Sequence, residues 1–351
     1  MTFARISLTT AISDSRINSS RTSSFIAAPG ISRPTNPSRN TGRENPDRSM
    51  PAASRRRSVA RCGARAPARG ADMPIAIALI NPGEMGAAIG GCLAGLGHRV
   101  LWASEGRTAS TRARAKAAGL DDAGTLAQAV GAAELVLSVC PPHNAPEVAE
   151  GVARLGYRGL YVDANAVSPA TARAIADRVE RAGGRFVDGG IIGPPPSAST
   201  RCVLYLSGPL AAELSARLSG SHLLVETVSG PIGAASALKM CYAAWSKGTI
   251  ALLADIRALA QAEGVEPALL AEWQASQSEV ARRFASVTGS ARKAWRWIGE
   301  MQEIAASFAA AGLPDGFHRA AEEIYRRQAG FKDGAEPPAM EAVLRALRRR
   351  D

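Results

Sequence analysis

The sequence predicts an α/β protein, a doubly wound parallel sheet followed by an all-helical domain, on three observations. Short apolar runs of β type alternate with helical stretches from Ile75 to about Thr227, the pattern of a parallel sheet covered on both faces. Strand-like runs then stop, and stretches rich in Ala, Leu, Glu and Arg continue from Gly230 almost to the end. Ahead of both lies a segment of different composition, rich in Ser, Arg, Pro and Asn, with no sustained apolar period. The expected organisation is a tail over 1–72, a nucleotide-binding domain over 73–229 and a helical domain for substrate and dimerisation over 230–351.

Charge separates these parts. The chain carries a formal +11. Residues 1–72 hold 13 Arg, no Lys and 4 acids, a balance of +9, so the remainder carries only +2. The basic character belongs to the tail, which argues against a folded nucleic-acid-binding surface. Such a tail is expected either to stay disordered or to lie upstream of the real start at Met73, directly before the first strand; an Arg- and Ser-rich transit segment is the third reading. A hydrophobic content of 46% fits a globular core, and no apolar run approaches the roughly 18 residues of a membrane span. Cys62, Cys92, Cys140, Cys202 and Cys241 show no paired spacing, and His98, His143, His222 and His318 show no ligand spacing. Neither a disulfide framework nor a metal site is expected, and reduced thiols without a signal peptide point to the cytoplasm.

Each element has its own justification. Ile75–Ile80 is a strand, ended by Asn81-Pro82-Gly83-Glu84-Met85-Gly86, after which an Ala/Gly-rich helix runs to about Gly97. Arg99–Trp102 is the second strand, followed by a polar helix near 109–118 and another near 124–131. Leu135–Val139 and Gly159–Asp163 are buried strands. The helix from Ser168 to Ala182 opens on Ser-Pro, a capping hydroxyl followed by a proline in the first turn. Arg185–Asp188, Cys202–Ser207 and Leu223–Thr227 complete the sheet. Ala234–Gly264 is long enough for one helix of about 30 residues.

The turn after the first strand carries chemistry. A dinucleotide site needs glycines so that backbone can approach a pyrophosphate seated on the helix N-terminus. Here the pattern is Asn81-x-Gly83-x-x-Gly86, with Asn replacing the first glycine, and Asn tolerates left-handed backbone better than most residues. The first domain is therefore expected to be of Rossmann type. After the second strand, Ser104 and Arg107 are placed to take a 2′-phosphate and favour NADP, while Glu105 leaves NAD open.

Gly230-Pro231-Ile232-Gly233, followed by Lys239 six residues after the second glycine, resembles the β-hydroxyacid dehydrogenase family, which includes 3-hydroxyisobutyrate and 6-phosphogluconate dehydrogenases. The likeness covers roughly residues 75–330. It implies that Lys239 projects into the cleft as the catalytic acid or base, and that the segment from Asp163 through Asn165 to Pro169, with Cys140 and Pro141, lies beside the nicotinamide. It implies that Asp188–Gly193 is a substrate-binding loop, with Gly189, Gly190, Ile191 and Ile192 meeting a small carboxylate, and that the helical domain forms a homodimer. A lysine partly desolvated beside a cofactor is suited to moving the hydroxyl proton as hydride leaves carbon. Lys247, eight residues on, shares the helix face.

Three departures narrow what the resemblance implies. Ala243 replaces the asparagine usual four residues after the lysine, Ile192 replaces a carboxylate-anchoring serine, and the late Lys-Asp pair is absent, with Arg296-Trp297 and Glu300–Glu303 in that region. Asn165 is expected to supply some of the lost polar contact. Glu300, Glu303 and His318 are expected to be solvated or structural, and Trp295–Trp297 to be packing. The reading is an NAD(P)-dependent dehydrogenase acting on a hydroxy acid or its oxo form; an imine reductase and a non-catalytic NADP-binding protein are the alternatives.

Overall fold

The computed structural model describes residues 73–332 and 334–348; the expectation for residues 1–72 lies outside them. The elements of the first domain are β1 (Ala76–Ile80), α1 (Glu84–Gly95), β2 (Arg99–Trp102), α2 (Ala109–Ala117), β3 (Asp121–Asp122), α3 (Leu126–Gly131), β4 (Leu135–Ser138), α4 (Ala145–Arg154), β5 (Leu160–Asp163), α5 (Pro169–Arg181), β6 (Arg185–Ile192), β7 (Cys202–Ser207), α6 (Ala211–Leu218) and β8 (Leu223–Thr227). They build one sheet in the order β3-β2-β1-β4-β5-β6-β7-β8. The strands from β3 to β6 are parallel, as expected for a doubly wound Rossmann-type domain.

The expectation of a parallel sheet fails at its far edge. β7 runs antiparallel to β6, and β8 is parallel to β7. The connection between β6 and β7 holds only residues 193–201, too few for the crossover helix that a parallel return requires. Gly193 makes that turn at φ 118°, where a Cβ would lie 2.2 Å from the Arg201 carbonyl oxygen. β6 also runs four residues past Asp188, the end read from sequence. The short β3, with both aspartates exposed, carries no apolar signal at all.

Apolar side chains from alternate strand positions pack against helices on both faces. Ile77, Leu79, Leu135 and Leu137 lie in one core with Ile89 and Leu93 of α1. Ala78, Val136 and Tyr161 lie in the other, against Ala149 and Val152 of α4 and Ile175 and Val179 of α5. Burying residues on both faces is what makes these strands continuous apolar runs. The Ser168 hydroxyl accepts from the Thr171 amide, so the Ser-Pro start of α5 is capped as its sequence suggests.

The helical region consists of α7 (Ala234–Ala262), α8 (Glu266–Ser276), α9 (Ser278–Arg283), α10 (Ala285–Ala291), α11 (Ala294–Ala310), α12 (Gly316–Arg327) and α13 (Met340–Leu347). At 29 residues, α7 spans about 44 Å. α11 and α12, joined by a short turn, pack on it through Met240, Ala243, Ala251, Met301, Ile304 and Tyr325. A second core unites Leu253 and Ala254 of α7 with Phe284, Val287, Val343 and Leu344.

Candidate active site

β1 lies between β2 and β4, so chain direction around the sheet reverses there and a crevice opens beyond the strand ends. The turn out of β1 borders it. Asn81 adopts φ 63°, the left-handed conformation its side chain tolerates, and its carbonyl accepts from the Gly83 amide at 2.7 Å. A Cβ on Gly86 would lie 2.5 Å from that same carbonyl oxygen, so α1 can begin this close to β1 only on glycine. Gly83 meets nothing within 4 Å, leaving bare backbone at the start of α1. Pro82 is buried, Met85 packs on the core and Glu84 is exposed. Beside this turn lies a cavity of ≈ 450 Å³ lined by Asn81, Ala103, Glu105, Arg107, Leu126 and Val148, among others.

The remaining candidates for cofactor contact divide. Arg107 and Glu105 both face the cavity and are exposed. Ser104 is buried and turned toward Asp122; after the Gly124 amide, its hydroxyl helps hold that carboxyl below the usual range. Cys140 and Pro141 lie at the end of β4 and are half-buried, and burial pushes the Cys140 thiol up to about 12. Asn165 is buried and committed to its own strand ends. Its Oδ1 accepts the Cys140 amide at 2.6 Å, and its Nδ2 donates to Ser138 Oγ and Asp163 Oδ2, each at 3.0 Å. The polar contact expected from it is spent inside the protein. Asp163, beneath it, is fully enclosed; burial raises its carboxyl to about 7 against the bonds from Asn165 that lower it.

The segment Gly189–Ile192, expected as a loop, is the second half of β6, buried throughout. The physical reason is the close crossing of α7. A Cβ on Gly190 would meet the Ala235 carbonyl oxygen at 2.8 Å and Lys239 Cβ at 2.9 Å, and one on Gly189 would meet the Asp163 carbonyl oxygen at 2.8 Å. The two glycines thus bring the strand against the base of Lys239. Just before them, the buried Asp188 carboxylate binds the N-terminus of α7. It accepts from the Gly233 amide (2.9 Å), the Ser236 amide (3.1 Å), Ser236 Oγ (2.6 Å) and Ser207 Oγ (2.8 Å). Free helix amides and the positive end of the helix dipole suit a carboxylate there.

Two turns along, α7 presents Lys239 and Lys247 on one face. Their ammonium groups approach the same oxygen, Glu300 Oε1 of α11, at 3.2 Å and 3.3 Å. Neither contact is a well-aligned hydrogen bond, so the triad is held by charge. Burial pushes the Glu300 carboxyl up, but the two ammonium groups outweigh it and hold it below the usual range. Burial lowers the Lys247 ammonium, against the pull of Glu300. Lys247 also lies 5.5 Å above the Trp297 ring, and its carbonyl accepts from the Tyr325 hydroxyl at 2.6 Å.

Of the two expectations for Glu300, solvated or structural, the first fails: it is buried and pairs with Lys239, a contact the sequence did not predict. Its signal was available only in part, since an acid flanked by Gly299 and Met301 on an apolar helix stands out, but its partners lie over 50 residues away. Glu303 and His318 are structural, as expected. Glu303 Oε2 accepts from the Ser168 amide at 2.6 Å and Thr171 Oγ1 at 2.8 Å, tying α11 to the start of α5. His318 packs between the rings of Phe308 and Phe317. Trp297 packs edge-on against Tyr325, while Trp295 carries Lys332 over its face. α11 also crosses near the cofactor crevice: a Cβ on Gly299 would lie 3.3 Å from Pro142 Cγ, and Arg296 comes within 3.8 Å of Glu84. Among the described residues no group of His, Cys, Asp and Glu is arranged to hold a metal.

Residues 76–216 match the NAD binding domain of 6-phosphogluconate dehydrogenase, and residues 260–328 match a domain of unknown function, DUF1932. An uncharacterized 28.5 kDa protein of Methanothermus fervidus is 29% identical over 166 residues, 47% of this chain and 63% of that protein. Among solved structures, a conserved hypothetical protein from Sinorhizobium meliloti 1021 is 26% identical, with a TM-score of 0.57 over 78% of this chain and 96% of its own. Conserved protein MTH1747, of unknown function and described as similar to 3-hydroxyacid dehydrogenases, is 27% identical, with a TM-score of 0.52 over 72% of this chain and 98% of its own. A Mycobacterium tuberculosis 3-hydroxyisobutyrate dehydrogenase shares the fold at 19% identity, with a TM-score of 0.58 over 79% and 100% of the two chains.

Proposed function

We propose that this chain, which belongs with the 6-phosphogluconate dehydrogenase-like proteins through its NAD-binding domain, is an NADP-dependent dehydrogenase of a small hydroxy acid, or a reductase of the corresponding oxo acid. The observation that carries the reading is Lys239, held at the strand ends by a glycine-only crossing of β6 and α7 and paired with the buried Glu300. The Asn81–Gly86 turn would hold the pyrophosphate on the α1 N-terminus, Arg107 the 2′-phosphate, and Cys140 with Pro141 the nicotinamide end. Glu105, beside Arg107, makes NAD the competing cofactor.

A nicotinamide held by these residues would supply the hydride acceptor or donor. Lys239 manages the proton at the substrate oxygen. In oxidation its neutral amine takes the hydroxyl proton as the carbonyl forms; in reduction its ammonium donates that proton back. Glu300 lies beside the ammonium form that ends oxidation and begins reduction. The enclosed strand ends and apolar Ile191 and Ile192 keep water from the reacting carbon.

The partner is a small carboxylate rather than nucleic acid or a membrane, and the working form is a cytoplasmic homodimer joined along α7. Among the described residues no helix is long and apolar enough to cross a membrane. The test is a titration of the full chain with NADPH and NADH, followed by a panel of hydroxy and oxo acids with wild type and Lys239→Met. Tight NADPH binding with turnover lost in the variant is expected. Cofactor binding with no turnover on any substrate would leave a nucleotide-binding protein and sink the enzyme reading.

A further inference from the structure

Within the site just described stand two cations, and proton transfer uses only one. We infer that Lys247 is the substrate's carboxylate anchor, a second cation that fixes the acid group while the hydroxyl lies at Lys239. The inference rests on the dehydrogenase reading for the meaning of Lys239, but its own geometry is independent of it.

The argument begins with charge. With both lysines in the ammonium form, as at the start of reduction, Lys239, Lys247 and the buried Glu300 sum to one positive charge, and the side chains are only 13%, 14% and 8% exposed. A shielded net cation gains most from a monoanion brought into contact with it, because little water remains to screen the pair. Position comes next. Both ammonium groups touch one carboxylate oxygen, so they are no further apart than those two contacts laid end to end. One small molecule with a hydroxyl and a carboxylate on neighbouring carbons can span them. Stiffness follows: the Tyr325 hydroxyl pins the Lys247 carbonyl and the Trp297 ring lies under its ammonium, so little side-chain freedom is lost on binding.

The neighbouring positions offer the acid group nothing comparable. Ala243 presents a methyl group on the same helix, Ile192 is apolar on β6, and the Asn165 amide is already bonded to Ser138, Asp163 and Cys140. Lys247 supplies ammonium hydrogens beyond the off-axis contact with Glu300, so it can accept a carboxylate without surrendering its counter-ion.

The test is calorimetric titration of the full chain, with and without NADPH, using 3-hydroxypropionate and its neutral methyl ester. Wild type is expected to prefer the acid. Lys247→Met should weaken the acid by about 10- to 100-fold, the value of a hydrogen bond to a charged group, and leave the ester unchanged. Lys247→Arg should recover part of the preference, and a thermal melt of each variant reports whether it folds. Equal loss of acid and ester, an unchanged acid affinity in Lys247→Met, or no acid binding to wild type would overturn the inference. Acid bound through Lys247 but never oxidised when NADP+ or NAD+ is supplied would preserve the anchor and refute the dehydrogenase reading. Oxidation that ignores Lys247→Met would do the reverse.

Discussion

Glu300 is where sequence and site part company, because an acid on an apolar helix face has value only through what reaches it. Removing its charge while keeping its shape separates the two roles of the triad. In Glu300→Gln the Lys239 and Lys247 ammonium groups face each other without a shared anion, so the charged form of lysine becomes less favourable. With that anion gone the two lysines lose the partner that holds them in place, and kcat is expected to fall about 10- to 100-fold, the scale of a small misplacement in the site. An unchanged kcat would show that Glu300 does not act on Lys239. Asp163 offers a titration. Its folded carboxyl stands at about 7, above the 3.8 of an ordinary aspartate, so the folded state holds a proton that the unfolded chain has released between those values. Its contribution to stability therefore falls as pH rises from about 4 to about 7 and is level above that. Melts of wild type and Asp163→Asn across this window should converge toward low pH and separate in favour of the variant toward pH 8; parallel curves would refute the shift. At this scale the glycines of the β1 turn and Asn81 were legible because each answers to a local rule, whereas Lys239 stood out only through the family resemblance. Asn165 was not: its exposure and partners are set by residues 25 and 27 positions away.

The crossing of β6 and α7 governs what the elements can do. Asp188 accepts four hydrogen bonds at the start of α7, and in Asp188→Ala all four donors lose their partner in a buried place. The expected cost is on the order of 3 kcal/mol in urea unfolding, the scale for unsatisfied buried groups; a loss below about 1 kcal/mol would mean that the helix start is anchored by other contacts. Gly190→Ala asks a finer question. Its added methyl would press on the Ala235 carbonyl and on Lys239 Cβ, so α7 must shift at the point where it carries the lysine. Turnover is expected to fall by about 100-fold, the effect of a misplacement near 1 Å, with cofactor affinity kept. Unchanged kcat would show that the crossing has slack. Alternation of strand and helix made the parallel part of the sheet readable, since each buried strand is an apolar run. The two-residue β3 has no such run, and the antiparallel return of β7 depends on a connection length that apolar pattern alone does not weigh. The glycines of β6 resembled a loop in sequence, yet they are strand residues stripped of Cβ to admit a helix.

Across the whole molecule, one face of α7 is left largely exposed, with the Arg283 guanidinium 5.4 Å above its Trp245 ring. Leu238, Tyr242, Trp245, Leu252 and Leu259 recur at steps of four, three and seven, a seam along one side of the helix, and Trp245 and Leu259 are 63% and 62% exposed. Phe317, 48% exposed, continues the patch from α12 beside Gly248. Isolated exposed leucines are ordinary, but a contiguous seam of this size on the longest helix is what a second copy would bury. Its opposite face holds Met240, Ala243 and Lys247, so association along α7 would also stiffen the helix that carries both cations. Sedimentation of the full chain is expected to give a dimer, and Trp245→Glu, which places a charge in the middle of the seam, a monomer. If the dimer depends on α7 for its active geometry, the Trp245→Glu monomer should still bind NADPH through the β1 turn but lose turnover. A wild-type monomer would remove the dimer from the proposal. A fully active Trp245→Glu monomer would show that α7 holds Lys239 and Lys247 in place through Asp188 and the α11 packing alone.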